Sequence, residues 1–425
     1  MSNNHEHMWQ DLGLDLPAHD GLLKLLGRFY GDIYLSQQGR ASGTRYLDFV
    51  ISEIHGLRIK ELLEAKAAGG HVVGTFCVFA PEELIWAAGA TCVGLCAGAD
   101  VGTQLAERIL PRNTCALIKA FVGFKLARVC PFMETCDFLV GETTCDGKKK
   151  AYELLHDYKS TYVMEIPQMK READRALWKA EMVRFKDMLE ERRGKTITAE
   201  SLGAAIKMVN DRRRALQRLA ALRTADPAPI SGRDALLVNQ IAFYDDPPRF
   251  TAKINDLCAE LQERVNAGQG VAEGAPRVIM AGCPMAVPNW KLPYLVESSG
   301  AVIVGEESCV GERATRDLVA EDGRDLDEML DRLVERYMHI DCACFTPNQE
   351  RLDHITDLAR RLGAAGVIQY TLQFCGPYTM EAHKVEQRLA AENIPTLRLE
   401  TDYSMEDLEQ LKTRVEAFVE VLKAQ

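Results

Sequence analysis

The sequence predicts an α/β protein with two Rossmann-like (flavodoxin-like) parallel-sheet domains that face each other. Two stretches, 71–167 and 275–425, alternate short apolar runs typical of strands with longer runs typical of helices. Strands separated by helices predict parallel sheets with right-handed crossovers. A helical N-terminal segment, 1–70, precedes the first domain, and a charged helical connector, 168–274, separates it from the second.

The composition is that of a folded globular protein and disfavours several classes of function. Of the 425 residues, 47% are hydrophobic and 27% charged, which is ordinary for a globular chain. The net charge of −11 disfavours general nucleic-acid binding, which requires a basic face. The N-terminal sequence MSNNHEHMWQDLG lacks the features of a secretory signal, and no run of about 18 apolar residues occurs. We therefore expect a cytoplasmic protein without membrane spans.

The N-terminal segment and the connector are predicted to be helical, since their apolar residues recur three and four positions apart. In the N-terminal segment, this spacing occurs in GLLKLLGRFYGDIYL and in YLDFVISEIHGLRIKELLEAKAAG. We expect these helices to form a layer or a dimer contact. In the connector, the same spacing runs through the charged stretch 168–225. It predicts long amphipathic helices that link the domains or form a dimerisation arm.

Each α/β domain is predicted to contain four strands that alternate with helices. The strands of the first domain are HVVGTFC, TCVGLC, DFLVGETTC and STYVMEIPQ, and its helices are PEELIWAAGA, CALIKAFVGFKLARV and GKKKAYELLHDY. The strands of the second domain are APRVIMAGCP, AVIVGEESC, GVIQYTLQFC and IPTLRLETD. Its helices are WKLPYLVESSG, LDEMLDRLVERYMH, NQERLDHITDLARRLG, MEAHKVEQRLAAEN and MEDLEQLKTRVEAFVEVLK.

Cysteines recur at the ends of the predicted strands. In the first domain, Cys77, Cys96, Cys115 and Cys145 are 19, 19 and 30 residues apart; Cys115 begins a helix and the others end strands. Parallel α/β sheets bind ligands outside the carboxyl ends of their strands. In a reducing compartment, this placement favours metal binding or catalysis over disulfides. The alternative is that the thiols are buried and pack as small hydrophobes.

The second domain also places thiols at strand ends, namely Cys283, Cys309 and Cys375. The two domains are therefore expected to bring cysteines to a shared cleft. The CxxC spacing of ferredoxins and zinc ribbons is absent, since three residues separate Cys92 from Cys96. Iron–sulfur clusters are held by thiolates, typically four for a simple cluster. The pattern indicates a site assembled from dispersed loops of both domains.

Charged residues near these cysteines would support an anionic metal centre. Lys148 begins a run of three lysines after Cys145, and Lys119 lies one helical turn after Cys115. Lysines and helix N-terminal amides would stabilise a polythiolate cluster, although the run of lysines is otherwise interpreted as a solvated charge run. Five glutamates also lie next to cysteine loops, where helix capping is favoured over proton relay. They are Glu82, Glu83, Glu142, Glu306 and Glu307.

Nucleotide-binding motifs are absent from the sequence. The GKT tripeptide at 194–196 lacks the P-loop glycine five positions earlier, where Leu189 stands. No GxGxxG follows a predicted strand, which disfavours a nicotinamide or flavin dinucleotide. Any ATP hydrolysis would therefore belong to another protein. His339, His354 and His383 fall on predicted helices or their ends, and no ligand role is expected for them.

Several segments resemble the 2-hydroxyacyl-CoA dehydratase and benzoyl-CoA reductase superfamily, and within it the double-cubane cluster proteins. They are FCVFAPEEL, LCAGAD, LPRNTCALIKAFVGF, VGETTCDGKKK, GCPMAVPNWKLPYLVESSGAVIVGEESCVGER and QFCGPYTMEAHKVE. The resemblance runs from about Gly74 to Glu400. The double-cubane branch is favoured because Cys96 is present in LCAG beside three other first-domain thiols.

The resemblance implies six cysteine ligands. The triad shared by the family corresponds to Cys115, Cys145 and Cys375, and the second half of the set to Cys77, Cys96 and Cys309. ESCVG favours Cys309 as the second-domain member of that half. The competing candidates are Cys283, Cys342 and Cys344, of which the last two, in DCAC, are otherwise interpreted as a detail of a strand or loop.

The resemblance also implies cofactor, partners and activity. It implies an oxygen-sensitive, homodimeric oxidoreductase whose cluster consists of two 4Fe–4S halves joined by a bridging sulfide. A separate homodimeric ATPase with its own 4Fe–4S cluster would supply low-potential electrons for the reduction of a small molecule. QFCGPY is more similar to the dehydratases, so the alternative is a lyase, a 2-hydroxyacyl-CoA dehydratase subunit with one 4Fe–4S cluster. A non-catalytic iron–sulfur electron-transfer protein is the second alternative.

Overall fold

A computed structural model of the protein describes residues 5–95 and 97–424. It confirms the predicted α/β class, with two Rossmann-like domains that each contain a four-stranded, all-parallel sheet. The predicted ligand Cys96 lies outside the described residues. Within the described ranges, no helix combines the length and the apolar character that a membrane crossing requires.

The N-terminal segment is helical, as predicted. Its elements are α1 (Glu6–Asp11), α2 (Leu16–Tyr30), a π-helical turn (Gly31–Leu35), a 3-10 turn (Ser42–Thr44), α3 (Arg45–Ser52) and α4 (Leu57–Ala67). Helix α4 packs on the first sheet. Tyr34, in the π-helical turn, packs edge to face on Trp290 of the second domain, with ring centroids 5.0 Å apart. The segment therefore forms a layer that contacts both domains.

The first sheet is built from strands with helical crossovers. Its elements are β1 (His71–Thr75), α5 (Glu82–Ala87), β2 (Ala90–Gly94), α6 (Thr103–Ala106), α7 (Ala116–Leu126), α8 (Pro131–Thr135), β3 (Phe138–Glu142), α9 (Asp146–His156) and β4 (Thr161–Met164). The strand order is β2-β1-β3-β4. The four strands and the main helices occur where the apolar runs predicted them, whereas the short helices α6 and α8 were not predicted.

The connector forms four helices, α10 (Glu172–Arg193), α11 (Ala199–Leu222), α12 (Gly232–Ile241) and α13 (Pro247–Asn266). Thr198 caps α11 and Ser231 caps α12, each by accepting a hydrogen bond from a backbone amide of the first turn.

The second sheet repeats the topology of the first. Its elements are β5 (Arg277–Gly282), α14 (Lys291–Ser298), β6 (Val302–Glu307), α15 (Glu312–Thr315), α16 (Leu326–Met338), α17 (Gln349–Arg361), β7 (Gly366–Leu372), α18 (Gly376–Ala391), β8 (Thr396–Thr401) and α19 (Leu408–Lys423). The strand order is β6-β5-β7-β8. Helices α10 and α11 each contact α5 of the first domain and α16 of the second. The connector therefore bridges the domains, while the exact domain boundaries and a dimerisation role remain predictions.

The repeated strand order creates a switch point in each sheet. From β1 the chain crosses to β2 on one side and then to β3 on the other, so the crossover helices diverge between β1 and β3. The same divergence occurs between β5 and β7. Crevices at such points are the usual ligand sites of open α/β sheets.

Gly282, the last residue of β5, is required by close packing against β7. Its φ of +135° disfavours an L side chain, and a Cβ atom would lie 2.0 Å from the carbonyl oxygen of Tyr370. We expect Gly282→Ala to lower the free energy of unfolding by about 3 kcal/mol or more. Denaturant unfolding of the anaerobically purified protein measures this change.

Gly21→Ala is the matched control for this prediction. Gly21 lies within α2, and apart from its chain neighbours and the backbone of its own helix no described atom lies within 4 Å of the position of its added Cβ. This substitution is expected to stabilise the protein by about 0.5–1 kcal/mol, because alanine loses less backbone entropy in a helix. Equal stability of the two variants would contradict the close-packing argument.

Candidate metal centre between the two sheets

A cavity of about 870 Å³ lies between the two domains at the carboxyl ends of their strands. Both domains contribute to its walls, and the switch points of both sheets open onto it. Eight cysteines of the described part line it. They are Cys77, Cys115, Cys145, Cys283, Cys309, Cys342, Cys344 and Cys375.

Strand ends and helix N-termini place these thiols. Cys145 is the N-cap of α9, and its Sγ accepts a hydrogen bond from the Lys148 amide at 3.4 Å. Cys115 and Cys375 are the N-caps of α7 and α18. Cys283 follows β5 directly, and its Sγ accepts a hydrogen bond from the Leu372 amide at 3.4 Å. The amides and helix dipoles at these positions favour negative charge on sulfur.

The first set of thiols, which we call the Cys309 group, consists of Cys77, Cys309, Cys342 and Cys344. The Cys77 thiol donates a hydrogen bond to Cys309, and the Cys344 thiol donates one to Cys342. The charge of Cys342 acts on both Cys77 and Cys309. All four sulfurs therefore belong to one cluster that includes both domains, with Cys309 and Cys342 buried and Cys77 and Cys344 half-buried.

Arg313 supplies the positive charge beside the Cys309 group. Its guanidinium is fully buried and donates to Cys309 Sγ at 3.4 Å and to the Tyr378 hydroxyl. The hydrogen bond from Cys77, aided by Arg313, lowers the pKa of Cys309 to about 7 despite burial. The hydrogen bond from Cys344, again aided by Arg313, lowers the pKa of Cys342 to about 5. Cys309 and Cys342 are thus the two thiols of this group whose pKa is lowered.

The second set, which we call the Cys375 group, consists of Cys115, Cys283 and Cys375. The hydrogen bond to Cys375 and burial hold the pKa of Cys115 well above its usual value. Cys375 also contacts Cys283. Cys145 lies between the two groups, because it interacts electrostatically with Cys115 and with Cys342. Burial raises the pKa of Cys145, and the amides of Lys148 and Gly147 act against that rise.

The two lysines predicted to support the centre lie in different places. Lys148 lines the cavity, pairs with the buried Glu142, and its charge favours the thiolate of Cys77. Lys119 does not line the cavity, and its ammonium pairs with Glu107 at 3.1 Å. The structure thus brings Lys148 to the thiols and directs Lys119 elsewhere.

The donor set fits an iron–sulfur centre. Eight thiols converge on one cavity, and thiolates are the ligands that such clusters use. Buried cations and backbone amides next to the sulfurs match the surroundings that stabilise an anionic cluster. Cys309 and its competitors Cys283, Cys342 and Cys344 all line the cavity, so the choice of Cys309 remains a prediction. Ligand roles for the other cysteines also remain predictions.

Four further cysteines of the described part do not line this cavity. The Cys136 thiol donates to the Phe132 carbonyl at 3.1 Å, and the Cys258 thiol donates to the Ala215 carbonyl at 3.8 Å. Cys92 contacts the Thr75 hydroxyl at 3.7 Å, and burial raises the pKa of Cys130 to about 11. All four are free thiols, Cys136 and Cys258 buried and Cys92 and Cys130 half-buried, and such packing was the alternative to metal binding.

Helix capping was the wrong expectation for three of the five glutamates. Glu142, Glu306 and Glu307 are buried at strand ends and pair with cations. Their partners are Lys148 for Glu142, Arg223 for Glu306, and Arg313 and Arg351 for Glu307. All four of these cations lie on other elements of the fold, so local sequence patterns carry no signal for the pairs.

Glu307, Asp341 and His354 place their ligand atoms within 4.8 Å of one another, in an arrangement that could hold a metal ion. Arginines already occupy this acidic group. Arg313 and Arg351 bind Glu307, and Arg316 binds Asp341 at 2.7 Å. A metal cation would have to displace guanidinium groups, so this site is a charge network that supports the wall carrying Arg313. His354 takes part in this network through hydrogen bonds to Asp341 and Glu312.

The charge network predicts a pH-dependent stability. Burial lowers the pKa of His354, but hydrogen bonds to Asp341 and Glu312 outweigh this effect and raise the pKa to about 9. Because this folded-state pKa exceeds the usual 6.5, the stabilisation is complete below about pH 6.5 and is lost as the pH rises through about 9. We expect His354 to account for a loss of up to ~3 kcal/mol between pH 6.5 and 9.5.

Denaturant unfolding at these two pH values, for the wild type and for His354→Gln, measures this contribution. Other groups titrate in the same range, so the difference between the two proteins isolates His354. The variant should be less stable at pH 6.5 and close to the wild type at pH 9.5. A constant difference at both pH values would show that His354 does not titrate as described.

Comparison with known proteins finds a matching family and several relatives. The family described as "2-hydroxyglutaryl-CoA dehydratase, D-component" matches residues 77–422. YjiM of Escherichia coli (strain K12), provisionally named a dehydratase subunit, is 38% identical over 364 residues, which cover 85% of this chain and 94% of YjiM.

More distant relatives include both dehydratase and reductase subunits. The (R)-phenyllactyl-CoA dehydratase beta subunit of Clostridium sporogenes is 25% identical, over 83% of this chain and 92% of that protein. A benzoyl-CoA reductase subunit of Thauera aromatica is 21% identical, over 83% and 91% respectively. The chain therefore belongs to the 2-hydroxyglutaryl-CoA dehydratase D-component family, within the 2-hydroxyacyl-CoA dehydratase and benzoyl-CoA reductase superfamily.

Proposed function

We propose that the protein is a low-potential iron–sulfur oxidoreductase that holds a double-cubane cluster and reduces a small molecule in the cavity between its domains. The observation that carries the proposal is the division of the cavity thiols into the Cys309 group and the Cys375 group, with Cys145 between them. One cubane needs no more than four thiolates, so two groups support two halves. When bound, the cluster would supply electrons at low potential.

The protein's own residues would bind and stabilise this centre. Cys77 and Cys309 would hold one half with Cys96, and Cys115, Cys145 and Cys375 would hold the other. Arg313 and Lys148 would offset the negative charge of the thiolates from buried positions. Because the pKa of Cys309 and the pKa of Cys342 are lowered, these two thiols would lose their protons to a bound metal more readily than Cys77 and Cys344.

The partners are part of the proposal. We infer that the protein is a homodimer and receives electrons from a separate ATP-hydrolysing protein with its own 4Fe–4S cluster. The absence of a P-loop from the sequence supports a separate source of ATP hydrolysis. Several relatives are named as subunits, which supports assembly with other components.

A 2-hydroxyacyl-CoA dehydratase subunit with one 4Fe–4S cluster is the second candidate. Relatives named as dehydratase subunits favour it. In this case, Cys115, Cys145 and Cys375 would hold the only cluster, and the Cys309 group would carry no iron. The cavity of about 870 Å³ leaves room for a thioester substrate beside such a cluster.

Metal content separates the two candidates. Anaerobically purified or reconstituted protein should contain about eight iron atoms per chain for a double cubane and about four for a single cubane. Electron-paramagnetic resonance of the reduced protein identifies the cluster. A third possibility, a non-catalytic electron-transfer protein, predicts a spectrum that no small ligand changes. If the reconstituted protein holds no iron, all three functions fail.

Substitutions of single cysteines test the two-group arrangement. Cys309→Ser is expected to remove about half of the iron and to leave the other half intact, because its group is separate from the Cys375 group. Cys375→Ser is expected to remove the complementary half. Iron analysis with electron-paramagnetic spectra of each variant distinguishes the halves.

Cys136→Ser is the matched control for these variants. Its thiol is buried and donates to a carbonyl away from the cavity, and a serine hydroxyl retains that hydrogen bond. It should therefore keep the full iron content. Full iron in Cys309→Ser together with loss of all iron in Cys375→Ser would instead support the single-cluster dehydratase.

A further inference from the structure

A small chamber of about 50 Å³ lies behind Cys77, outside the site described above. Cys77, Thr75 and Phe243 separate it from the main cavity, since they line both spaces. The rest of its wall combines apolar side chains with polar and cationic ones. The arginines of this wall are Arg212, Arg213 and Arg336.

Two of the three arginines have carboxylate partners. Arg212 pairs with Glu82, which also lines the chamber. Arg213 pairs with the fully buried Glu83 at 2.7 Å. Glu83 also accepts a hydrogen bond from the Tyr337 hydroxyl at 2.7 Å, so its carboxylate is already shared.

Arg336 has no carboxylate partner among the described residues. Its Nη2 donates to the Ala314 carbonyl at 2.6 Å, and its Nε donates to the Asp317 carbonyl at 3.3 Å. Its Nη1 is buried and has no hydrogen-bond partner in the described part of the chain. The carboxylate of Asp317 pairs with Arg316. Arg336, only 3% exposed, is therefore a buried cation that forms no ion pair with a described carboxylate, and the charges of Glu83 and Asp317 act on it only from a greater distance.

Such a cation is unstable unless an anion or hydrogen bonds compensate it. Burial and the neighbouring charge of Arg213 lower the pKa of Arg336 to about 10. At neutral pH the side chain nevertheless remains protonated. The chamber wall thus carries three guanidinium groups against the carboxylates of Glu82 and Glu83.

We propose that this chamber is a binding site for a small monovalent anion, of the size of chloride, bromide or formate, which accepts a hydrogen bond from Nη1 of Arg336. The anion supplies a counter-charge in direct contact with the guanidinium and satisfies the unpaired Nη1. A buried water needs about 10–15 Å³ of such space, so a chamber of about 50 Å³ accommodates a few heavy atoms and excludes larger organic anions. The proposal does not depend on the identity of the metal centre.

Crystals soaked in sodium bromide test the site directly. Anomalous difference maps from data above and below the bromine absorption edge separate bromide from any iron. A bromide peak in contact with Arg336 Nη1 is the expected result. Bromide peaks that occur only on the protein surface, or a chamber that holds only water, would overturn the proposal.

Thermal unfolding tests the same site in solution. Sodium bromide should raise the Tm of the wild type saturably, by about 2 °C at saturation, relative to sodium gluconate at equal ionic strength. Gluconate is too large for the chamber and controls for screening. Arg336→Met removes the cation and should abolish the difference between the two salts, whereas Arg336→Lys should retain part of it.

Arg112→Met is the matched control, because the Arg112 side chain is 93% exposed and its loss leaves the chamber unchanged. It should show the bromide effect of the wild type. Equal Tm values of the wild type in bromide and in gluconate would refute the proposal. The same holds if Arg336→Met keeps the full bromide effect. If Arg336→Met does not fold, the bromide maps and the Tm values of Arg336→Lys decide whether the anion site exists.

Discussion

The site depends on a fixed separation between the carboxyl ends of two parallel sheets. Thiols of the first domain meet thiols of the second, so a small shift of one sheet would break contacts such as that between Cys77 and Cys309. The connector prevents such a shift, because α10 and α11 each pack against α5 and α16. Tyr34 of the N-terminal segment also packs on Trp290 of the second domain. A rigid frame of this kind suits a centre that must keep its ligands in place.

Electrostatics reinforce this geometry. Clustered thiols would repel one another as thiolates, and burial alone favours the neutral form. Arg313 changes that balance at Cys309 and Cys342, whereas no comparable guanidinium contacts the Cys375 group in the described part of the chain. The two thiol groups therefore differ in the charges that surround them. This asymmetry gives the proposed two halves different surroundings and hence a basis for different reduction potentials.

Charge compensation extends beyond the cavity. Glu307 holds Arg313 in place and is itself bound by Arg351, while Asp341 and His354 complete the network. Behind Cys77, by contrast, Arg336 lacks a carboxylate partner among the described residues. Most buried charges of this region thus form ion pairs with groups of opposite sign. Arg336 is the exception, and the proposed anion site is based on it.

Local patterns predicted much of this protein. The apolar runs placed the eight strands, and the cysteines after β1, β3, β6 and β7 could be assigned to strand ends because that position depends only on neighbouring residues. The sequence placed Lys119 beside the thiols, whereas its ammonium pairs with Glu107. Local patterns could not predict this pair, because Glu107 lies on a different turn of the chain. The cationic partners of Glu142, Glu306 and Glu307 were also not predicted. A glutamate that caps a helix and a glutamate that forms a buried ion pair can have the same neighbours in the sequence.

The sequence by itself determined the alternation of strands and helices, because hydrophobic periodicity and turn residues act over a few positions. It also determined which cysteines follow strands. Only the tertiary structure decided which thiols contact one another, that Cys342 and Cys344 join the Cys309 group, and that Arg313 lies against it. These contacts depend on how two sheets and a helical connector pack together, and packing over such distances leaves no pattern in neighbouring residues.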